Sequence, residues 1–193
     1  MSRLFWGFFF IFINFNLTFN GTHALNLLPP FVGYLLLLSG TGELAAESDL
    51  FQSVRPFLIG MAVYTALLWV GNLLGLGGGW LGSLLGLAST AVALYVEWAL
   101  VKAIQDMEAR RGADLNGGAM MTVWRRLLVL QIAAQVSALL AGISTLGLLT
   151  VIWIVLAVAA FVNVVLFLRA VWRGKKRYEE LSPQAGPKEG ACN

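Results

Sequence analysis

Three long stretches without charged residues limit what this chain can fold into more than any other feature of its sequence. No Asp, Glu, Lys or Arg occurs in residues 4–42, 56–96 or 127–168, which are blocks of 39, 41 and 42 residues. A helix crosses the roughly 30 Å hydrocarbon core of a bilayer with about 20 apolar residues. Each block is therefore about twice the length of one span, which predicts an integral membrane protein.

Each block also contains turn-forming residues near its middle: Asn20-Gly21-Thr22, Gly77-Gly78-Gly79, and residues 142–147. Two spans joined by a tight turn fit each block, so we predict an all-α fold of six transmembrane helices arranged as three hairpins. The predicted spans are 4–20, 25–41, 57–76, 80–102, 123–141 and 148–168. They form a single bundle over residues 1–178, followed by a disordered cytoplasmic tail at 179–193.

Two segments leave an alternative open. Pro29-Pro30 must kink or restart the second helix, because proline lacks the amide donor and clashes with the preceding turn. A half-span or a re-entrant segment is the alternative there. Arg3, the apolar run after it and Thr22-His23-Ala24 also resemble a signal peptide cleaved after Ala24. Cleavage would leave five spans, but the polar Asn and Thr residues before that site are unusual for a signal peptide.

The positive charges all fall on one side of the predicted arrangement. The thirteen Lys and Arg residues occur at the chain ends and in or beside the two linkers between blocks, and none occurs in a hairpin turn. Cytoplasmic loops of membrane proteins are enriched in Lys and Arg. Both termini are therefore predicted to be cytoplasmic, in a bacterial plasma membrane. The net charge of +3 reflects this topology, and no nucleic-acid partner is predicted.

The two charged linkers differ in pattern. Residues 41–55 alternate acidic and apolar positions in a way that predicts a short amphipathic helix at the inner membrane surface. The second linker is predicted to extend the fourth helix, with Asp106 and Arg110 at i,i+4 spacing. Gly112 is the predicted stop, and residues 114–118 are predicted to form a turn.

No catalytic or cofactor motif occurs in the chain. The single histidine, His23, and the single cysteine, Cys192, exclude an intrachain disulfide and the common His- and Cys-rich metal sites. Phosphate-binding glycine loops and nucleophile elbows are absent as well. We therefore predict a protein that is not an enzyme and has no cofactor.

Glu97 is the only acidic residue inside a predicted span. It lies about one and a half turns from Lys102, on a helix face of small residues: Ala93, Ser89, Gly86 and Gly82. Such a face packs against other helices, and an ionisable group within the membrane indicates a functional site by default. The favoured interpretation is that Glu97 pairs with Arg125, Arg126 or Arg169 and stabilises the bundle. In the alternative it lines a cavity and exchanges protons or cations.

Two further polar residues, Gln131 and Asn163, are predicted at a similar depth, and Gln135 extends the Gln131 face by one turn. If helices four, five and six meet, Gln131, Gln135 and Asn163 form an intramembrane polar cluster with Glu97. This arrangement is typical of a transporter site and also of a structural hydrogen-bond network.

Glycines at four-residue spacing predict close helix packing. There are two such runs, one of Gly71, Gly75 and Gly79 and one of Gly78, Gly82 and Gly86, and they are predicted to pack helix three against helix four near the outer surface. Dimerisation through the same face is the alternative.

A cluster of cations follows the last span. Arg169, Arg173, Lys175, Lys176 and Arg177 are candidates for binding anionic lipid head groups, to which each contributes about 1 kcal/mol near the surface. The ordinary requirement for positive charge at an inward-facing terminus explains the same residues.

The N-terminal segment carries one resemblance. Leu4-Phe-Trp-Gly, Asn14-Phe-Asn16 and Leu28-Pro-Pro-Phe-Val-Gly-Tyr34 resemble the opening of small, uncharacterised bacterial multi-pass membrane proteins, over about the first forty residues. Asn14 and Pro30 depart from the acidic residues of such openings, and the resemblance implies no activity.

The expected function is to bind or transport a small solute or lipid within the bilayer, alone, as a homo-oligomer or as a subunit of a larger membrane complex. A structural or accessory membrane protein without its own ligand is the alternative.

Overall fold

Six helices and one short hairpin make up the part of the chain that the computed structural model describes, which is residues 1–12, 16–19, 23–26, 29–73, 80–141 and 147–181. The helices are α1 (Ser2–Phe12), α2 (Pro30–Glu43), α3 (Asp49–Leu73), α4 (Trp80–Arg111), α5 (Gly117–Ala141) and α6 (Gly147–Leu181). The strands are β1 (Asn16–Phe19) and β2 (His23–Asn26).

The strands occupy the ends of the first two predicted spans, which are therefore wrong at those ends. β1 and β2 pair antiparallel, with Leu17 opposite Leu25. Polar residues at every second position from Asn14 to Asn20 carry the period of a strand, which agrees with β1 at Asn16–Phe19. Proline is favoured at the first helical position, and α2 begins at Pro30. The 14 residues of α2 extend about 21 Å, which fits the half-span alternative.

The helices pack in the order of the sequence. Each contacts the next, and α1 also contacts α6, so the six described helices close into a ring. The predicted pairs α1–α2, α3–α4 and α5–α6 are all neighbours in it.

Hydrogen bonds and ion pairs join four segments of the chain at one end of this ring. Arg3 pairs with Glu43 at 3.0 Å, Ser48 donates to Asp106 at 2.6 Å, and Arg177 pairs with Asp114. We call this end, formed by residues 1–3, 43–49, 106–117 and 175–179, the charged end.

The buried core lies in the half of the bundle next to the charged end. Phe8, Leu37, Leu58, Leu100 and Phe167 are fully buried there. Farther along the helices large apolar side chains are exposed, among them Leu67, Val129 and Phe161. Exposed apolar surface on this scale marks a protein that contacts lipid or other protein.

Three described helices are long and apolar enough to cross a membrane. They contain the segments Asp49–Gly71 with 23 residues, Leu85–Arg111 with 27, and Ile154–Leu181 with 28. The prediction of a helical membrane protein is confirmed to this extent, whereas six spans are not. Arg125 and Arg126 interrupt the apolar sequence of α5, and α1 is a shorter apolar helix.

The connections at the charged end agree only in part with the sequence-based expectation. The predicted surface helix in residues 41–55 is wrong, because residues 44–47 form a turn and α3 then runs unbroken through Pro56.

The predictions for the second linker are confirmed except at the end of the turn, since Gly117 and Gly118 already belong to α5. Arg110 pairs with Asp106 at 3.0 Å, and α4 ends before Gly112, whose φ is +62°. The backbone N–H of Asn116 donates to Asp114 Oδ1 at 2.8 Å in the turn that follows.

The boundary between the bundle and the predicted tail also differs from the prediction. α6 continues to Leu181, so residues 179–181 are helical and do not belong to the predicted tail. Residues 182–193 lie outside the described part of the chain.

Candidate functional site

Glu97 is buried in α4, with 8% of its surface exposed. Its position follows from the packing of α4 between α3 and α5. Along the half of α4 nearest the charged end, Val96 and Leu100 are buried beside it. The predicted burial of the Glu97 face is thus found at Glu97 itself, and it weakens toward Ser89 and Ala93, which are half-buried.

Glu97 makes no hydrogen bond and no ion pair with any residue that the structure describes. Arg125, Arg126 and Arg169, its expected partners, are exposed. The favoured interpretation, in which an arginine neutralises Glu97, is therefore not realised in this arrangement.

Tyr34 of α2 is the residue that the structure brings toward Glu97. It is 4% exposed, and the charge of Glu97 acts on its phenol. α2 and α4 are not neighbours in the ring, and both residues are buried. No sequence pattern in the apolar residues around Tyr34 indicates this electrostatic interaction with Glu97.

Gln131, Gln135 and Asn163 are half-buried, and no hydrogen bond joins them to Glu97 or to one another among the described residues. α4 and α6 each contact α5 but not each other, so the condition for the predicted cluster is not met. Asn163 donates from Nδ2 to the carbonyl of Ala159 at 2.9 Å. Its buried Oδ1 has no partner in the described structure, and neither has the indole N–H of Trp124.

A cleft of about 340 Å³ lies between α3 and α4. Its lining is almost wholly apolar and includes Gly60, Met61 and Tyr64 of α3 and Ser89 and Val92 of α4. The Tyr64 hydroxyl is buried without a hydrogen-bond partner among the described residues. The small residues Gly60 and Ser89 are the sequence signal that could have indicated this space.

The predicted close packing of α3 against α4 through glycine is not supported at the positions whose neighbours the structure describes. A Cβ added at Gly71 or Gly86 would meet nothing within 4 Å, so neither position holds two helices together. Gly75, Gly78, Gly79 and the surroundings of Gly82 lie outside the described structure. Close approach through glycine occurs instead between α1 and α2, at Gly7, Gly33 and Gly40.

The five predicted lipid-binding cations separate into two groups. Lys175 lies 4.5 Å from the centre of the Trp172 ring and 3.8 Å from Glu179, and Arg177 pairs with Asp114. Arg169, Arg173 and Lys176 are exposed and form no ion pair with any described residue.

No protein-family model, curated protein or solved structure significantly matches the chain.

Proposed function

We propose that the chain is a multi-pass plasma-membrane protein that binds or transports a small solute or lipid through a positively charged group of that ligand. In this proposal six helices form three hairpins with both termini in the cytoplasm, and the protein is not an enzyme. The three apolar helices and the collection of charged segments at one end of the ring support the topology.

One observation supports a ligand with a positively charged group. Glu97 is buried and forms no ion pair and no hydrogen bond with any described residue. An uncompensated buried charge costs several kcal/mol, and a charge within a membrane almost always pairs or faces a solute pathway. A cationic group bound inside the ring would compensate the carboxylate.

Native mass spectrometry of the gently purified chain tests this function. We expect a co-purified cationic small molecule or lipid on the unmodified chain and its loss from Glu97→Gln, which keeps the shape of the side chain and removes its charge. Glu43→Gln is the matched control, because Glu43 is partly exposed and already paired with Arg3. Retention of the bound species by Glu97→Gln would contradict the assignment.

The alternative is a structural or accessory membrane protein with no ligand of its own. The ion pairs at the charged end and the close α1–α2 packing favour it. Under this alternative no species co-purifies, and Glu97→Gln alters thermal stability alone. The proposed function predicts ligand loss without destabilisation of the ligand-free chain.

A further inference from the structure

Two contacts define the level of the cleft between α3 and α4. Ser48, just before α3, donates to Asp106 of α4 at the charged end. Farther along, the rings of Phe57 and Tyr95 meet edge to face, with their centroids 4.9 Å apart. The two helices therefore run in opposite directions from the charged end, and Phe57 lies about 14 Å along α3 from Ser48.

The cleft begins at the contact of Phe57 with Tyr95 and extends away from the charged end. Its lining runs from Pro56 to Tyr64 on α3 and from Val92 back to Leu85 on α4. These two stretches are about 10 to 12 Å long. Both belong to segments that are long and apolar enough to cross a membrane, so the cleft lies at the depth of the lipid hydrocarbon.

Small side chains leave this space open. Gly60, Ala88 and Ser89 line it, and a Cβ added at Gly60 would meet no atom within 4 Å. The cleft is accessible from outside the protein, since Phe57 and Leu85 of its lining are 42% and 52% exposed. Its volume of about 340 Å³ falls within the range of about 300–1,000 Å³ that is usual for small-ligand cavities.

The cleft offers no polar group to an occupant. None of its described lining residues is charged. The Ser89 hydroxyl donates to the carbonyl of Gly86 in its own helix, at 2.9 Å. The Tyr64 hydroxyl is buried, so it is not presented at the surface of the cleft. A bound water needs two to four polar partners, and a polar ligand would lose its hydration without compensation. The occupant is therefore hydrocarbon.

The bilayer supplies hydrocarbon at this depth. Apolar walls that have no neighbouring atoms lose dispersion contacts. A flexible chain from the bilayer restores these contacts on two sides when it lies between α3 and α4, whereas on a single exposed helix it gains them on one side. Association inside a membrane depends on such packing, because no water is expelled.

We propose that the α3–α4 cleft binds an acyl chain of a membrane lipid, which lies along the two helices. Because no charged side chain lines the described cleft, binding does not depend on the charge of the lipid head group. Glu97 is not part of the lining, so this site is separate from the one proposed for a cationic ligand.

A phosphatidylcholine with a diazirine in its acyl chain tests the site on the full chain in detergent. After irradiation, mass spectrometry of peptides locates the adducts. Gly60→Leu fills the cleft, and Gly71→Leu is the matched control, because Gly71 is also an open glycine of α3 but does not line the cleft.

Residues 56–64 and 85–92 should carry more adducts than the surface around Phe161, which is 66% exposed on α6. This excess should be found in the unmodified chain and in Gly71→Leu. In Gly60→Leu the labelling of both ranges should fall to the level at Phe161.

A photoreactive phosphatidylglycerol with the same chains should give the same pattern. A preference for either head group, or cleft labelling that persists in Gly60→Leu, would overturn the proposal. A dimer of the unmodified chain that Gly60→Leu dissociates in native mass spectrometry would overturn it as well, since a second copy would then occupy the cleft.

Thermal unfolding followed by circular dichroism shows whether Gly60→Leu folds. We expect this variant to be at least as stable as the unmodified chain, because leucine favours a helix over glycine and the added atoms enter open space. If it does not fold, Ala88→Leu fills the cleft from α4 and gives the same comparison with Gly71→Leu.

Discussion

Gly33 stands where α1 and α2 approach most closely, and its missing side chain is what permits the approach. A Cβ at this position would lie 2.8 Å from the carbonyl oxygen of Gly7 and 3.1 Å from the backbone nitrogen of Ile11. The Ile11 side chain comes nearer still, with Cγ1 at 2.7 Å, and it could move, but the two backbone atoms cannot turn aside. Gly86 occupies a similar place in its helix but has open space around it. Identical residues thus have opposite roles, and only their neighbours distinguish them.

Gly33→Ala should therefore destabilise the protein by about 1–3 kcal/mol, the usual cost of overpacking. The matched Gly86→Ala variant should be neutral, or more stable by up to about 1 kcal/mol, because alanine favours a helix. Thermal unfolding of both variants in the same detergent, followed by circular dichroism, measures the difference. An unchanged melting temperature for Gly33→Ala would show that α1 can move away from α2 without cost.

The elements are joined at the charged end by contacts between segments that are distant in sequence. Arg111, the last residue of α4, donates to both carboxylate oxygens of Glu47 in the α2–α3 turn. Its guanidinium also lies 4.9 Å from the centre of the Tyr178 ring on α6. The Arg111 side chain thus connects α4, the α2–α3 turn and α6 at the charged end.

The pH dependence of the Glu47 contact has a definite sign. The hydrogen bond from Arg111 lowers the pKa of Glu47 below its ordinary value of 4.5. The contribution of Glu47 to stability is therefore fully present above pH 4.5 and is lost as the pH falls through the lowered pKa. At pH 7 Glu47→Gln should lower the free energy of unfolding by up to about 1 kcal/mol, and the gap should close in acid.

Urea titrations of the unmodified chain and of Glu47→Gln between pH 3 and pH 7 measure that gap. Glu180→Gln is the control, because Glu180 is exposed and has no ion pair in the described structure. A gap that stays constant down to pH 3 would mean that the charge of Glu47 does not contribute to stability.

The whole molecule is a ring with a packed, charged end and apolar surface along the rest of its length. The four segments at the charged end all precede or follow a charge-free block. If this end faces the cytoplasm, as the placement of Lys and Arg favours, the connections at residues 74–79 and 142–146 face the outside. These connections lie outside the described residues, so accessibility measurements are the direct test.

A single cysteine at Ser144, in a chain whose Cys192 is replaced by serine, should react with an impermeant maleimide on intact cells. A cysteine at Gly112, beside the end of α4 at the charged end, should react only after the cells are permeabilised. Labelling of the Ser144 position from the cytoplasmic side alone would contradict the three-hairpin topology.

The sequence by itself determined the features that depend on local composition and short spacing. The charge-free blocks indicate a membrane protein, because burying charge in hydrocarbon is costly wherever the chain folds. Likewise Gly112 ends α4 and Asp106 pairs with Arg110, since both depend on residues within one or two turns. The hairpin of β1 and β2 was not predicted, because the helix prediction there rested on the apolar content of the block and not on the alternating polar residues from Asn14 to Asn20.

Only the tertiary structure decided which of the polar residues have partners. Ser48 and Asp106 are 58 positions apart, and Glu47 and Arg111 are 64 apart, so no local pattern predicts either contact. For the same reason the sequence could not show that Glu97 lies toward Tyr34 and away from every arginine, or that Arg126, Arg169 and Arg173 remain free. Partners at such separations depend on the direction in which each packed helix turns its side chains, and that direction depends on all the neighbouring helices together.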